Sequence, residues 1–121
     1  MVERMSGITT HVLDTSTGKP ASAMCIDFAV VEAGGPRLLS SVETNPDGRT
    51  DAPLLGADAM RAGVYELTFH VADYYRAHAV ALADPPFVDR VAVRFGIADA
   101  QANYHVPLLC SPWSYSTYRG S

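Results

Sequence analysis

The chain has 121 residues, enough for one domain with a modest core, and we expect a single domain over residues 1–121. Charged residues make up 18% of the chain, below the roughly 25% of an average soluble domain, so we expect part of its weakly polar surface to be covered in an oligomer. A net charge of −4 and nine scattered basic residues provide no basic patch, which argues against a nucleic-acid partner.

The compartment is predicted from what the sequence lacks. There is no run of eighteen apolar residues, so we expect no membrane partner, and the first residues carry no apolar secretory core. We therefore predict a cytoplasmic protein. Cys25 and Cys110 both lie in apolar runs, and in a reducing compartment two buried thiols are favoured over a disulfide.

Alternation of apolar and polar residues predicts strands along most of the chain. The first half holds a strand around His11, a loop at residues 15–20, and a strand at residues 24–32 whose even-numbered apolar side chains share one face. Turn residues follow at positions 34–36 and 45–48, the second with proline at its second position.

The second half continues the pattern. Strands are predicted at residues 64–71 and 91–97, and the alanine-rich stretch 72–83 predicts a short helix. In the aromatic tail, Tyr104, Val106 and Leu108 share a face, while His105 and Leu109 point the other way, and a last strand is expected at residues 113–118. Seven or eight short strands with one helix predict an all-β, antiparallel β-sandwich.

Four side chains are candidates for chemistry: His11, Arg49, His105 and Arg119. A histidine titrates near neutral pH and can act as acid or base. A guanidinium can donate two parallel hydrogen bonds to a carboxylate or to the polar edge of an imide-like ring. Each has a plainer explanation, because a lone strand histidine is commonly packed or at the surface and an arginine after a turn is commonly solvated. Spacing alone does not show that the four meet.

The remaining polar residues fit structural or surface roles. His70 and His78 lie on a polar strand face and in the alanine-rich segment, and surface exposure is the expectation for Asp27. The histidines and cysteines have no metal-ligand spacing, so no metal site is predicted. The chain also lacks a nucleophile elbow, a P-loop and a dinucleotide fingerprint.

Several segments together resemble the hydroxyisourate hydrolases of the transthyretin-like family. They are the run His11-Val12-Leu13-Asp14 with Gly18-Lys19-Pro20-Ala21 behind it, Asp47-Gly48-Arg49, and the tail from Tyr104 that ends in Tyr118-Arg119-Gly120-Ser121. The resemblance covers nearly the whole chain, and the terminal tetrapeptide is its most specific part.

The resemblance implies a transthyretin-like (prealbumin-like) sandwich of two four-stranded sheets, assembled as a homotetramer, a dimer of dimers. It also implies an activity: hydrolysis of the small molecule 5-hydroxyisourate to 2-oxo-4-hydroxy-4-carboxy-5-ureidoimidazoline, in the conversion of urate to allantoin, with no cofactor. The alternative from another class is a carrier that binds an aromatic ligand in the central channel of the tetramer.

The resemblance also implies the site residues. Catalytic roles fall on His11, Arg49, His105 and Ser121, and substrate contacts on His11, Arg49, Tyr118 and Arg119. The histidines would activate water and deliver a proton, with the division between them left open. The arginines would orient the ring and hold developing negative charge.

Overall fold

A computed structural model describes residues 7–120 and shows ten short strands, one α-helix and one turn of 3₁₀ helix at Ala57–Ala59. In chain order the elements are β1 Ile8–Thr9, β2 Val12–Asp14, β3 Lys19–Pro20, β4 Cys25–Glu32, β5 Gly35–Glu43, β6 Gly63–His70, α1 Val71–Ala77, β7 Arg90–Ile97, β8 Tyr104–His105, β9 Leu108–Cys110 and β10 Tyr115–Thr117.

The strands form two sheets. Sheet one has the order β10-β9-β2-β3 and is continued by the β1–β8 pair, and sheet two has the order β5-β4-β6-β7. Only two residues separate β1 from β2, and likewise β8 from β9, so the ten segments make eight longer strands. The predicted eight-stranded sandwich is confirmed, with one departure: β1 pairs with β8, and β2 with β9, in parallel rather than antiparallel.

The core lies between the two sheets and follows the period-two pattern of the strands. In β4, Ile26 and Phe28 are fully buried, while Cys25 and Asp27 point away from the core and are partly exposed. The Phe28 ring stacks on Tyr65 of β6 with 5.7 Å between ring centroids. Each large apolar side chain buried in this way contributes about 1.5–3 kcal/mol to folding.

The short helix predicted in the alanine-rich stretch is confirmed. The strand predicted to reach Val71 ends at His70, and α1 runs from Val71 to Ala77, so the second half of the stretch is not helical. Ala79 has a φ of 59°, a left-handed conformation of the kind that closes helices at their carboxyl ends. His78 therefore follows the helix rather than lying within it.

A buried carboxylate attaches this helix to sheet one. The Tyr74 and Tyr75 hydroxyls donate hydrogen bonds of 2.9 and 2.8 Å to the two carboxylate oxygens of Asp14, which also accepts from Ser16. Burial alone would raise the pKa of Asp14, but these hydrogen bonds outweigh it and hold the pKa below its ordinary value. The charged form of Asp14 is therefore the one that the fold selects.

The tail is packed in its first part and exposed in its second. Tyr104, Val106 and Leu108 are buried, as predicted, whereas Trp113 and Tyr115 are 65% and 54% exposed. The second part is exposed because β10 is an edge strand of sheet one, with no strand beyond it among residues 7–120.

The two cysteines are free thiols, but only Cys110 is buried, and Cys25 is half-buried on the outer face of sheet two. The prediction of two buried thiols was therefore wrong for Cys25. No helix among residues 7–120 has the length and apolar character that crossing a membrane would require.

Candidate active site

The two candidate histidines lie on the outer face of sheet one, with His11 two residues beyond the strand partner of His105. The parallel pairing of β1 with β8 sets Thr9 opposite His105, and the Leu108 amide donates a 2.9 Å hydrogen bond to the His11 carbonyl. Thr9, His11 and His105 alternate with buried neighbours such as Thr10 and Val106, so their side chains face away from the core. Strand pairing thus brings together two histidines that are 94 residues apart in the sequence.

A tight turn at residues 45–48 positions Arg49 next to His11. The Asn45 carbonyl accepts a hydrogen bond from the Gly48 amide at 2.8 Å, and the Gly48 carbonyl accepts one from the Val12 amide, also at 2.8 Å. Gly48 has a φ of 74°, and a Cβ on it would lie 2.4 Å from the Val12 carbonyl oxygen, so only glycine fits this contact. As a result Arg49 forms an antiparallel bridge with His11.

The His105 imidazole is held on two sides. Its Nδ1 is hydrogen-bonded to the Thr9 hydroxyl at 2.9 Å. On the other side the Gly120 amide donates a 2.8 Å hydrogen bond to the His105 carbonyl, and a Cβ on Gly120 would lie 2.5 Å from Cδ2 of the ring. Within residues 7–120, Nε2 has no hydrogen-bond partner, which leaves it available to a bound molecule.

The surroundings of His105 favour its neutral form. Burial lowers the pKa of His105, and electrostatic interactions with Arg49 and His11 lower it further. A neutral imidazole at neutral pH has a lone pair with which to accept a proton, as a general base requires.

The guanidinium of Arg119 lies elsewhere in this single chain. It sits over the ring of Tyr104, 4.2 Å from the centroid, and donates a 3.2 Å hydrogen bond to the Asn103 carbonyl. Tyr104 is on the opposite face of β8 from His105. Together with the half-exposed Tyr118, Arg119 lines a cavity of about 340 Å³ between β7 and the tail.

The structure therefore brings His11, Arg49 and His105 together and does not bring the side chain of Arg119 to them. Ser121, the fourth residue with an expected catalytic role, lies outside the described residues. The roles assigned to all of these residues remain predictions.

Two residues of this arrangement escaped the sequence analysis. Thr9 is two positions before His11 and so shares its strand face, a signal that the alternation already contained. The contact of Gly120 with the ring had no sequence signal, because it depends on how the tail folds back across β8.

Comparisons with known proteins agree with this architecture. Residues 8–120 match the model of the HIUase/Transthyretin family. The 5-hydroxyisourate hydrolase of Ralstonia nicotianae is 56% identical over 117 residues, an alignment that covers 97% of this chain and all of that protein.

Two solved structures are also similar. The 5-hydroxyisourate hydrolase of Klebsiella pneumoniae superposes with a TM-score of 0.74 at 31% identity, over 97% of this chain and 100% of that one. An (S)-allantoin synthase superposes with a TM-score of 0.88 at 41% identity over 97% of this chain, which spans only 44% of that protein. On the family match and these identities, the chain belongs to the HIUase/Transthyretin family.

Proposed function

We propose that this protein hydrolyses 5-hydroxyisourate to 2-oxo-4-hydroxy-4-carboxy-5-ureidoimidazoline in the urate-to-allantoin branch of purine catabolism. The observation that carries the proposal is the His105 imidazole, fixed by Thr9 and Gly120 with Nε2 open, beside His11 and Arg49. The names of the similar hydrolases specify the substrate.

Opening the ring by hydrolysis requires an activated water, a positive group at the developing oxyanion, and a proton for the departing nitrogen. Two histidines and an arginine are available for these tasks. In the tautomer whose Nδ1–H donates to the Thr9 hydroxyl, Nε2 of His105 carries the lone pair that accepts a proton from the attacking water. The proton then passes to the nitrogen that leaves, and the scheme calls for no cofactor.

Arg49 is the cation placed to hold negative charge. Its backbone forms an antiparallel bridge with that of His11, and its positive charge lowers the pKa of His105. A guanidinium fixed before the reaction stabilises an oxyanion without reorganising, which is the source of its catalytic value. His11 then orients the substrate and shares in proton transfer.

Arg119, Tyr118 and Ser121 are proposed to contact the substrate within an assembly. Arg119 faces Tyr104 in the single chain, so its contribution requires a second subunit or a rearrangement of the tail. We propose a homotetramer in which the exposed tail aromatics form contacts between subunits. We also propose that residues 1–121 act as one domain in the cytoplasm, where Cys25 and Cys110 stay reduced.

The carrier alternative fits the site less well. A carrier of an aromatic ligand needs a largely apolar channel, whereas the outer face of sheet one presents two histidines, an arginine and a threonine. These groups suit a polar, reactive ring.

The test is the rate at which freshly generated 5-hydroxyisourate disappears, followed by its ultraviolet absorbance. The wild-type protein should exceed the spontaneous rate, and His105→Asn should lower kcat/KM by roughly 10²- to 10⁴-fold, the usual contribution of a general base. His78→Asn is the matched control, since His78 is exposed and lies outside the site. A wild-type rate equal to the spontaneous one would refute the function, and full activity of His105→Asn would remove His105 from the mechanism.

A further inference from the structure

A second cluster of reactive side chains lies on the outer face of sheet two. Cys25 and Asp27 of β4 and His70 at the end of β6 each offer one donor atom, and these three atoms lie within 4.8 Å of one another. All three residues are partly buried, so a bound ion would be shielded from water without being inaccessible.

Strand register creates this cluster. Ile26 pairs with Phe69 and Asp27 with Thr68 in the antiparallel β4–β6 ladder, so Cys25 lies beside His70. Cys25 and Asp27 are two residues apart and therefore share the outward face of β4. His70 is 43 positions from Asp27 and 45 positions from Cys25 in the sequence, so no short metal-ligand spacing marks the site.

The outer partners of the donors resemble those of a metal site. His70 directs Nε2 at an Asp27 carboxylate oxygen, 2.8 Å away, while its Nδ1 faces the Asp73 carboxylate at 3.6 Å. The Ser41 hydroxyl donates a 2.7 Å hydrogen bond to the other Asp27 oxygen. Metal-binding histidines commonly have a carboxylate on the second ring nitrogen, and metal-binding carboxylates are themselves hydrogen-bonded.

The local charge also favours a cation. The carboxylates of Asp27, Glu43 and Asp73 act electrostatically on Cys25, and the guanidinium of Arg90 opposes them. Three carboxylates around one thiol and one imidazole outnumber the single nearby arginine. A divalent ion among them would relieve this excess of negative charge.

We propose that Cys25, Asp27 and His70 form a binding site for a zinc ion. Zinc binds thiolate, imidazole and carboxylate at about 2.0–2.3 Å in tetrahedral geometry, which the three donors can supply with a fourth position left for water. The mixture of one sulfur, one nitrogen and one oxygen donor disfavours magnesium and calcium, which take oxygen ligands. The ion would enter between the Asp27 and His70 donor atoms and draw the Cys25 sulfur inwards.

This site is separate from the candidate active site. Its donors extend from the outer face of sheet two, whereas His11, Arg49 and His105 are on sheet one. Loss of the ion is therefore expected to leave the chemistry at His105 intact, and the proposal does not depend on the hydrolase assignment.

Cobalt titration of the full chain, stripped of metal and kept reduced, tests the proposal. Cobalt(II) bound in zinc's place by a thiolate gives a sulfur-to-metal charge-transfer band and intense tetrahedral visible bands, so wild type should show both at one equivalent. Cys25→Ser should lose the charge-transfer band, whereas Cys110→Ala should keep it. Zinc should displace the cobalt and abolish the bands.

Affinity measurements complete the test. In competition with a chromophoric zinc chelator, His70→Gln should bind zinc at least about tenfold more weakly, and Asp73→Asn about 10- to 100-fold more weakly, as expected for an outer partner. His105→Asn should bind as wild type does. A cobalt band that survives Cys25→Ser, a wild type without the band, or zinc affinity that depends on His105 and not on His70 would overturn the proposal.

Discussion

The His105 imidazole owes its position to two neighbours that carry no charge. Thr9 sets the ring orientation through Nδ1, and Gly120 lies so close to Cδ2 that a methyl group has no room. The imidazole has only two ring nitrogens that can form hydrogen bonds, so few other contacts orient it. Small changes at either neighbour should therefore alter catalysis more than stability.

Gly120→Ala is the most direct test of this packing. The new methyl group should displace the imidazole and lower kcat/KM by about 10²-fold or more, because misplacement of a catalytic group by about 1 Å has that effect. Thermal stability should change little, since the tail is at the surface. Gly56→Ala is the matched control: a Cβ there meets no atom within 4 Å. Wild-type turnover in Gly120→Ala would show that this contact does not position His105.

The pH dependence of the reaction should report the lowered pKa of His105. A base with a depressed pKa stays neutral further into acid, so the acidic limb of kcat/KM should lie below pH 6.5, the ordinary histidine value. Arg49→Gln removes one of the charges that lower this pKa and should move the limb to higher pH. NMR titration of the His105 ring checks the assignment, and a His105 pKa above 6.5 in the wild type would contradict it.

The same shift makes a prediction about stability. Because the folded pKa is depressed, the unfolded chain takes up a proton at His105 before the folded chain does. The contribution of His105 to the free energy of unfolding is therefore constant above pH 6.5, and it becomes destabilising as the pH falls below that value. The acidic limb of activity and the onset of this destabilisation share one cause.

At the level of elements, the attachment of α1 to β2 is the contact that most clearly joins two parts of the fold. A seven-residue helix is too short to be stable alone, so packing and hydrogen bonds must hold it. Asp14, Tyr74 and Tyr75 supply those bonds from buried positions. The burial of the rings and the hydrogen bonds to Asp14 also raise the pKa values of both tyrosines.

Tyr75→Phe should destabilise the protein by about 1.5–3 kcal/mol, the usual contribution of a hydrogen bond to a charged group. Urea unfolding at pH 7 and a fixed protein concentration measures the loss, with Tyr115→Phe as control because Tyr115 is exposed. The Asp14 pKa is depressed, so its stabilisation is complete above pH 3.8 and is lost as the pH falls through the folded pKa. A Tyr75→Phe protein as stable as wild type would show that the hydroxyl contributes nothing net.

For the whole molecule, the surface of the tail is the feature that a single chain leaves unexplained. Trp113, Tyr115 and Tyr118 are 65%, 54% and 59% exposed, and they flank or lie in the edge strand β10. Exposed aromatics beside an unpaired strand edge favour association with another copy. This is the surface on which the proposed tetramer depends.

Sedimentation and fluorescence test the assembly together. The wild type should sediment as a tetramer at micromolar concentration. Trp113 is the only tryptophan in the chain, so its emission should shift to shorter wavelength as subunits associate on raising the concentration. Tyr115→Arg should weaken the assembly, whereas Arg37→Ala, which removes an exposed surface ion pair, should not. A monomer at every concentration would contradict the proposed tetramer.

Much of the fold was predictable because it follows from short-range sequence patterns, such as alternation along a strand and the residues of a turn. The alternation at residues 24–32 and 91–97 determines which side chains face the core, and Asn45-Pro46-Asp47-Gly48 specifies its turn through local hydrogen bonds. The resemblance of the tail and the Asp47-Gly48-Arg49 turn to a known family indicated the site residues. These signals are local, so they need no knowledge of what lies across the sheet.

The sequence did not predict which residues far apart in the chain contact one another. Parallel pairing of β1 with β8 puts Thr9 against His105, the β4–β6 register gathers Cys25, Asp27 and His70, and Asp14 meets its tyrosines across 60 positions of sequence. Local patterns in the sequence predicted the strands, their buried faces and the resemblance to the family. Contacts between strands arise from register and from the folding back of the tail, and these depend on the free energy of the whole sandwich rather than on any one segment.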